Sequence, residues 1–290
     1  MLFRSIIVVL VIVNKWTNPA NKLSWTFLIL LSPIFGLMVY FLFGRSGLTK
    51  HTRERMDAVN RQVEALFQRD SAVEKGLEKE SRSAYLQSSY IDKWAGFPLY
   101  QNTQTKYYSC GEEMFPDMLE ALRGAKHFIF LEYFIIEEGY MFNTILDILE
   151  EKAKAGVDVR FIYDDVGSIN SISFGYYKKL QERGIPCVTF NPFKPLISVV
   201  MNNRDHRKIF VVDGYIGFTG GINLADEYIN KVKRFGYWKD TGVRIEGEAV
   251  WSLTAMFLEM WNYINRSTED YSRFLPSVYR EKEFTSDGFV

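Results

Sequence analysis

The rhythm of hydrophobic and polar positions changes three times along this chain. Residues 23–44 carry no charged side chain and are apolar almost throughout. A helix of ~22 residues rises ~33 Å against ~30 Å of bilayer hydrocarbon, so the run predicts a transmembrane helix. Trp25 and Tyr40 lie near its two ends, where membrane interfaces favour amphipathic rings. Pro33 and Gly36 predict a kink of the kind membrane helices tolerate. A shorter apolar run over about residues 2–16, bounded by Arg4 and Lys15, reads first as the tail of a longer helix, with a signal-peptide core or a complete short helix whose end charges snorkel as alternatives, and Asn18-Pro19 reads as a turn before the next helix. Arg45, Lys50, Arg53 and Arg55 follow, with Glu54 the first acid. The positive-inside rule then places everything after residue 45 in the cytoplasm.

Over residues 45–95 the period becomes helical. Met56, Val59, Val63, Leu66 and Phe67 recur at steps of three and four, which predicts an amphipathic connecting helix packed on the main domain, with a helix lying on the membrane surface as the alternative. Residues 96–275 then alternate between strand and helix. Runs rich in β-branched and aromatic residues predict strands at 127–136, 157–163, 185–190 and 209–212, with a further strand at 215–219. Helical stretches fall at about 112–123, 141–155, 174–184 and 249–264, and Gly156 and Gly184 stand where left-handed caps are needed. The result is an α/β domain. Residues 276–290 read as the start of a linker to a second domain.

Composition narrows this picture. The 290 residues include 35 Lys plus Arg and 35 Asp plus Glu, a net charge of zero, which argues against a nucleic-acid partner. A hydrophobic fraction of 47% excludes a disordered chain. Two cysteines cannot form a disulfide framework, which fits a reducing compartment.

The chemistry concentrates in His206-Arg-Lys208-Ile-Phe-Val-Val-Asp213 and Gly220-Gly221-Ile-Asn223. On a strand, His206 and Lys208 leave the same face. Gly214 marks a turn beside Asp213, and the returning strand brings Asn223 close. An imidazole can attack phosphorus, an ammonium neutralises the non-bridging oxygens, and an amide adds a donor to them. Asp213 could fix the tautomer of an imidazole, its own or one from another half-site. A His-x-Lys-x4-Asp match arises by chance in roughly 2% of chains this long, and the second motif makes the pair far rarer. No zinc-ligand, dinucleotide or Walker pattern is present. Asp164-Asp165 at a strand end could suggest a magnesium site but reads rather as a loop-supporting or site-lining carboxylate pair, so no metal is expected there.

At these residues the sequence resembles the phospholipase D superfamily, signature His-x-Lys-x4-Asp-x6-Gly-Ser-x-Asn, with Gly221 in place of the usual serine. More narrowly it resembles the bacterial cardiolipin synthases, through Leu131-Glu-Tyr-Phe134, Tyr163-Asp-Asp-Val-Gly-Ser168, Asn203-Arg-Asp-His-Arg-Lys208 and Trp238-Lys-Asp-Thr241. The resemblance implies a mixed sheet flanked by helices, one of two usual halves, preceded by transmembrane helices. His206 would be nucleophile or acid. Lys208 and Asn223 would bind phosphate, with Arg207 a further candidate cation, and Asp213 would support the histidine. Glu132, Asp240, Gly220 and Gly221 would play supporting roles.

The superfamily builds one site from two such motifs, and this chain has one, so a second half is an expected partner. The implied reaction joins two phosphatidylglycerol molecules into cardiolipin and glycerol, without a cofactor, at the cytoplasmic side of a bacterial cell membrane. Two alternatives stand beside it: another phospholipase D-type lipase or nuclease acting as a homodimer, and a non-catalytic membrane-bound binding module.

Overall fold

A computed structural model of the chain describes residues 2–14, 18–44, 50–192, 203–279, 286 and 288–290. The chain forms two compact units, one built on Met1–Thr52 and one on Arg53–Pro192 with Arg204–Val290.

The first unit contains α1 (Leu2–Val13), α2 (Pro19–Leu31) and α3 (Pro33–Phe43). Asn18 caps α2 by accepting a hydrogen bond from the Ala20 N–H, 2.9 Å, and Pro19 occupies the first turn, where its missing N–H costs nothing. The run expected to form one helix over residues 23–44 is broken. Ser32 takes φ −140° and ψ 87°, outside the helical region, and Pro33 restarts the chain as the first residue of α3. The two helices fold back on each other, with the rings of Trp25 and Tyr40 edge to face at 5.4 Å. Gly36 permits the close approach: a β-carbon there would lie 2.6 Å from the Leu28 carbonyl oxygen. Ile12, Ile29 and Tyr40 form the buried centre.

This corrects the transmembrane expectation. Helices of 12, 13 and 11 residues rise only about 16–20 Å. Among the described residues no helix is long and apolar enough to cross a membrane. The two aromatic residues assigned to opposite interfaces instead pack on each other. The bilayer anchorage, the cell-membrane location and the cytoplasmic orientation inferred from a single span are overturned with it. Arg45, used in the orientation argument, and Lys15, which bounds the first apolar run, lie outside the described residues, as do residues 280–285 and 287 of the expected linker.

The second unit contains, in chain order, α4 (Lys50–Glu64), α5 (Ser71–Glu80), α6 (Arg82–Ala95), β1 (Thr103–Tyr108), α7 (Gly111–Gly124), β2 (Phe128–Tyr133), α8 (Tyr140–Lys154), β3 (Asp158–Asp164), α9 (Tyr176–Glu182), β4 (Cys187–Phe190), β5 (Ile209–Val212), β6 (Ile216–Gly220), β7 (Gly242–Gly247), α10 (Val250–Asn265) and α11 (Pro276–Tyr279). Seven strands form one sheet in the order β1-β7-β6-β5-β2-β3-β4. The β2, β3 and β4 neighbours are parallel, and β5 runs antiparallel to both β2 and β6. This is the mixed sheet flanked by helices that the resemblance implies. The four longer predicted helices and five predicted strands are all present. Gly156 and Gly184 have φ of +89° and +79°, as left-handed caps require.

Side chains alternate across the sheet, so each strand feeds two cores. On one face Ile129, Leu131, Tyr133, Phe210 and Val212 pack with Met118 and Leu122 of α7 and Ile145 and Leu149 of α8. On the other, Phe128, Phe130, Ile209 and Val211 pack with Trp251, Phe257 and Leu258 of α10. Val63 and Phe67 join this second core, with Phe67 edge to face against Phe97 at 5.3 Å. Among the described residues, the segment expected to be one connecting helix over 45–95 holds three helices, and Val63 of the first packs in the second core.

Phe130 is fully buried and stacks on Phe257 at 4.6 Å with an interplanar angle of 12°. Phe130→Ala should lower unfolding free energy by about 3–5 kcal/mol, the range for an aromatic ring lost from a packed core. Urea denaturation checks this, and a loss below about 1 kcal/mol would contradict the packing described.

Candidate functional site

Residues 203–208 run without regular secondary structure into β5, so His206 and Lys208 precede the strand rather than lying on it. Alternation still holds. Lys208 shares parity with Phe210, and Arg207 shares parity with Ile209 on the α10 face. The segment is held from behind by buried carboxylates. Asp164, at the end of β3, accepts from the Asp205 N–H at 2.9 Å and the Gly167 N–H at 2.8 Å, and Arg204 lies at 3.4 Å. Asp164 thus supports the loop, as expected. Asp205 accepts from the N–H and Nε of its near neighbour Arg207 at 3.2 and 3.1 Å. The Arg207 Nε also lies 2.7 Å from Oε1 of Glu132, which is fully buried on β2.

On the other side stand the groups suited to chemistry. The His206 ring is exposed and packs on Phe134 at 4.7 Å between centroids. Lys208 is 4% exposed; its Nζ donates to the His206 carbonyl oxygen at 2.8 Å and lies 5.4 Å from the Phe134 ring centroid. Burial lowers the Lys208 pKa to about 8, opposed by the carboxylates of Asp205 and Asp240. The β5–β6 register pairs Phe210 with Phe218, and the Thr219 hydroxyl donates to the Lys208 carbonyl at 2.9 Å. Gly220, Gly221 and Asn223 therefore stand at the same end of the sheet. Asn223 is buried: its carbonyl oxygen accepts from the Ile135 N–H at 3.0 Å and its amide donates to the Tyr228 hydroxyl at 2.8 Å. One amide hydrogen remains for another acceptor.

Gly220 has φ +145°, and a β-carbon there would meet the Thr241 carbonyl oxygen at 2.3 Å. At Gly221 a β-carbon would lie 1.9 Å from Asp240 Oδ1. The Asp240 carboxylate thus occupies the space that a serine side chain would take at this position.

Asp213 is placed elsewhere. The β2–β5 register pairs Glu132 with Ile209 and Ile129 with Val212, so Asp213 lies at the far end of β5, about 16 Å along the chain from Lys208. With φ of +51° at Asp213 and +69° at Gly214, these two residues form the two-residue hairpin turn, closed by the Tyr215 N–H on the Val212 carbonyl at 3.2 Å. The carboxylate accepts from the N–H groups of Lys126, His127 and Phe128 at 2.7–2.8 Å. The expected support of His206 by Asp213 is not what this geometry provides; the carboxylate anchors the hairpin to the entrance of β2. Arg207, a candidate phosphate cation in the sequence, turns away from His206 into the carboxylates behind it. His127 lies at the Asp213 end and is not part of the site.

Of the predicted residues, the fold thus gathers His206, Lys208, Gly220, Gly221, Asn223 and Asp240, places Glu132 behind them, and leaves out Asp213. Phe134, Asp205 and Tyr228 were not singled out by sequence. Phe134 and Asp205 sit inside the segments that carry the resemblance, while Tyr228 has no sequence signal of its own.

A family model described as "Cardiolipin synthase, PLD-like domain" matches residues 118–261, and one described as "Phospholipase_D-nuclease N-terminal" matches residues 5–45. The chain carries a cardiolipin-synthase-like domain of the phospholipase D superfamily. It is 39% identical to an uncharacterized protein of Streptococcus mutans over 97% of this chain and 60% of that one. It is 35% identical to cardiolipin synthase 1 of Bacillus anthracis and 36% identical to cardiolipin synthase 1 of Bacillus cereus, each over 88% of this chain and 50% of the relative. The chain therefore spans about half the length of the cardiolipin synthases it matches. The Gly220-Gly221-Ile-Asn223 segment falls inside the matched domain, as do His206 and Lys208.

Two predictions follow from the carboxylates. Asp213→Ala leaves three backbone N–H groups without their acceptor and a positive φ on alanine, and should cost about 2–4 kcal/mol. Chemical denaturation measures this, and a loss under about 1 kcal/mol would remove the anchoring role. Glu259 of α10 is pushed up from 4.5 to about 7 by burial, against the attraction of Arg207. The unfolded chain releases this proton near 4.5 and the folded chain near 7, so folding holds a proton between those values. Stability should fall by as much as about 3 kcal/mol as pH rises from 4.5 to 7, then level. Glu259→Gln should flatten that slope in denaturation curves taken at several pH values.

Proposed function

We propose that this chain supplies one half of a phosphatidyltransferase site that joins two phosphatidylglycerol molecules into cardiolipin and glycerol. The observation that carries this reading is the pairing of an exposed His206 with a buried Lys208 on one side of the chain, at the sheet end shared by Asn223. His206 acts as nucleophile on phosphorus. The bond from phosphorus to the glycerol oxygen breaks, and glycerol leaves with a proton from a histidine of a second half. A hydroxyl of a second phosphatidylglycerol then attacks the phosphohistidine, gives its proton to that same histidine and frees His206. Lys208 and the spare Asn223 amide hydrogen neutralise charge on the non-bridging oxygens, in surroundings dry enough to strengthen both contacts.

The partner is a second phospholipase D-like half, from a further domain or another copy of the chain. Similarity to cardiolipin synthases over half of their length supports a reaction of phosphatidyltransferase type. The zero net charge favours it over nuclease action, since binding along nucleic acid draws on a basic surface.

Thin-layer chromatography of radiolabelled phosphatidylglycerol, with trapping of labelled protein, tests the reading. A concentrated chain should acquire acid-labile, base-stable label on His206, and His206→Ala should abolish it. Lys208→Met should slow labelling by at least about 10²-fold, the scale set by loss of one transition-state charge partner. A wild-type chain that takes no label at concentrations that drive dimerisation overturns the proposal. Full turnover by a strictly monomeric chain would overturn the half-site assignment.

A further inference from the structure

The buried charges behind the site are a costly arrangement. Glu132 is fully buried, and Arg207 is its partner at 2.7 Å. Asp205 is buried against the same guanidinium, and Glu259 on α10 faces it as a third carboxylate. Both Glu132 carboxylate oxygens and Arg207 Nη2 have no hydrogen-bond partner among the described residues, so the 2.7 Å contact is an ion pair without hydrogen-bond alignment. Burying ions with part of their bonding capacity unmet is a poor way to stabilise a fold, since apolar side chains of similar volume often do as well or better. Stability alone therefore gives little reason for this cluster at the end of β2.

Its position gives one. The side chains of residues 205 and 207 point into the cluster, so those of 206 and 208 must leave on the opposite side. The segment lies outside the sheet ladder until Ile209, so strand pairing does not set its orientation. The Asp164 and Asp205 contacts fix the start of the segment, and the Glu132–Arg207 ion pair fixes its centre, between the two reacting groups. We infer that Glu132 is a positioning residue: acting through Arg207, it holds His206 against Phe134 and Lys208 Nζ on the His206 carbonyl, the stance in which both address one phosphate. This rests on the proposed function for the identity of the ligand, while the stance itself is a matter of geometry.

Burial raises the Glu132 pKa well above its ordinary value, with Arg207 opposing and Asp205 adding to the rise. Arg207 is held charged by Glu132 and Asp205 against the same burial. The guanidinium is the shared counter-charge, and removing one carboxylate redistributes its contacts among the others.

The test uses two readouts on the intact chain. The chain has three histidines, so the His206 ring proton resonances can be assigned with His206→Gln, and packing on Phe134 should displace them by ring current. Glu132→Gln should move the His206 resonances toward free-histidine values, leave those of His127 in place, and weaken orthovanadate binding at least tenfold. Glu132→Asp should recover part of both effects. If Glu132→Gln keeps the His206 shift and the vanadate affinity, the inference is overturned. If the wild type itself binds no vanadate, the phosphate-site reading fails, and the ring shift alone still decides the positioning claim. Should Glu132→Gln not fold, the double change Glu132→Gln with Arg207→Met removes both charges. A folded double variant that lacks the His206 shift supports the inference. One that regains it, or one that does not fold, assigns the pair to the fold and overturns the claim.

Discussion

The antiparallel pairing of β5 with β2 is the constraint on which the site depends. It sets Ile209 opposite Glu132 and Val212 opposite Ile129, so one end of β5 meets a buried carboxylate and the other meets the start of β2. The chain entering β5 then has a fixed anchor for Arg207, and the chain leaving it has three backbone N–H groups for Asp213. A slip of one residue would exchange the faces of every side chain on β5, turning Ile209 and Val211 out of the α10 core. Two apolar cores resist that slip, one on each face of the sheet.

With the register fixed, the single stretch His206 to Asp213 serves two purposes at two ends of the sheet. At one end the backbone is extended and presents an exposed imidazole beside a desolvated ammonium. At the other, Asp213 and Gly214 turn the chain with positive φ at both positions, a conformation that suits the right-handed twist of a hairpin and favours Asp-Gly. The aspartate is tied to the spacing because the strand must be four residues long for both ends to reach their anchors, not because its carboxylate meets the histidine. Gly221 shows a related economy of space: without a side chain there, the Asp240 carboxylate lies close enough to the site to act on Lys208.

In the first unit a local event redirects a long apolar segment. Residues 23–44 have the composition of a spanning helix, yet an extended Ser32 followed by Pro33 ends one helix and begins another. Once the chain turns there, Gly36 allows two backbones to approach, and Trp25 finds Tyr40. The break takes backbone groups at the new helix ends out of the helical ladder, and the two short helices bury Ile29 and Tyr40 in one cluster.

The sequence by itself determined the alternation of strands and helices in the second unit, because central strands and their covering helices must be apolar on faces of fixed period. It also determined which residues could carry phosphoryl chemistry, since imidazole, ammonium and amide are few and their spacing is visible. Strands β1 and β7, neighbours at one end of the sheet, were not legible: most of their side chains are only partly buried or exposed, so their pattern of apolar positions is weak. Nor could spacing reveal that Asp213 faces away from His206, that Arg207 is an anchor rather than a phosphate cation, or that Tyr228 holds Asn223. Those depend on which strands are neighbours and in what register. Pairing between segments distant in the chain is decided by the packing of both sheet faces together, which only the tertiary structure contains.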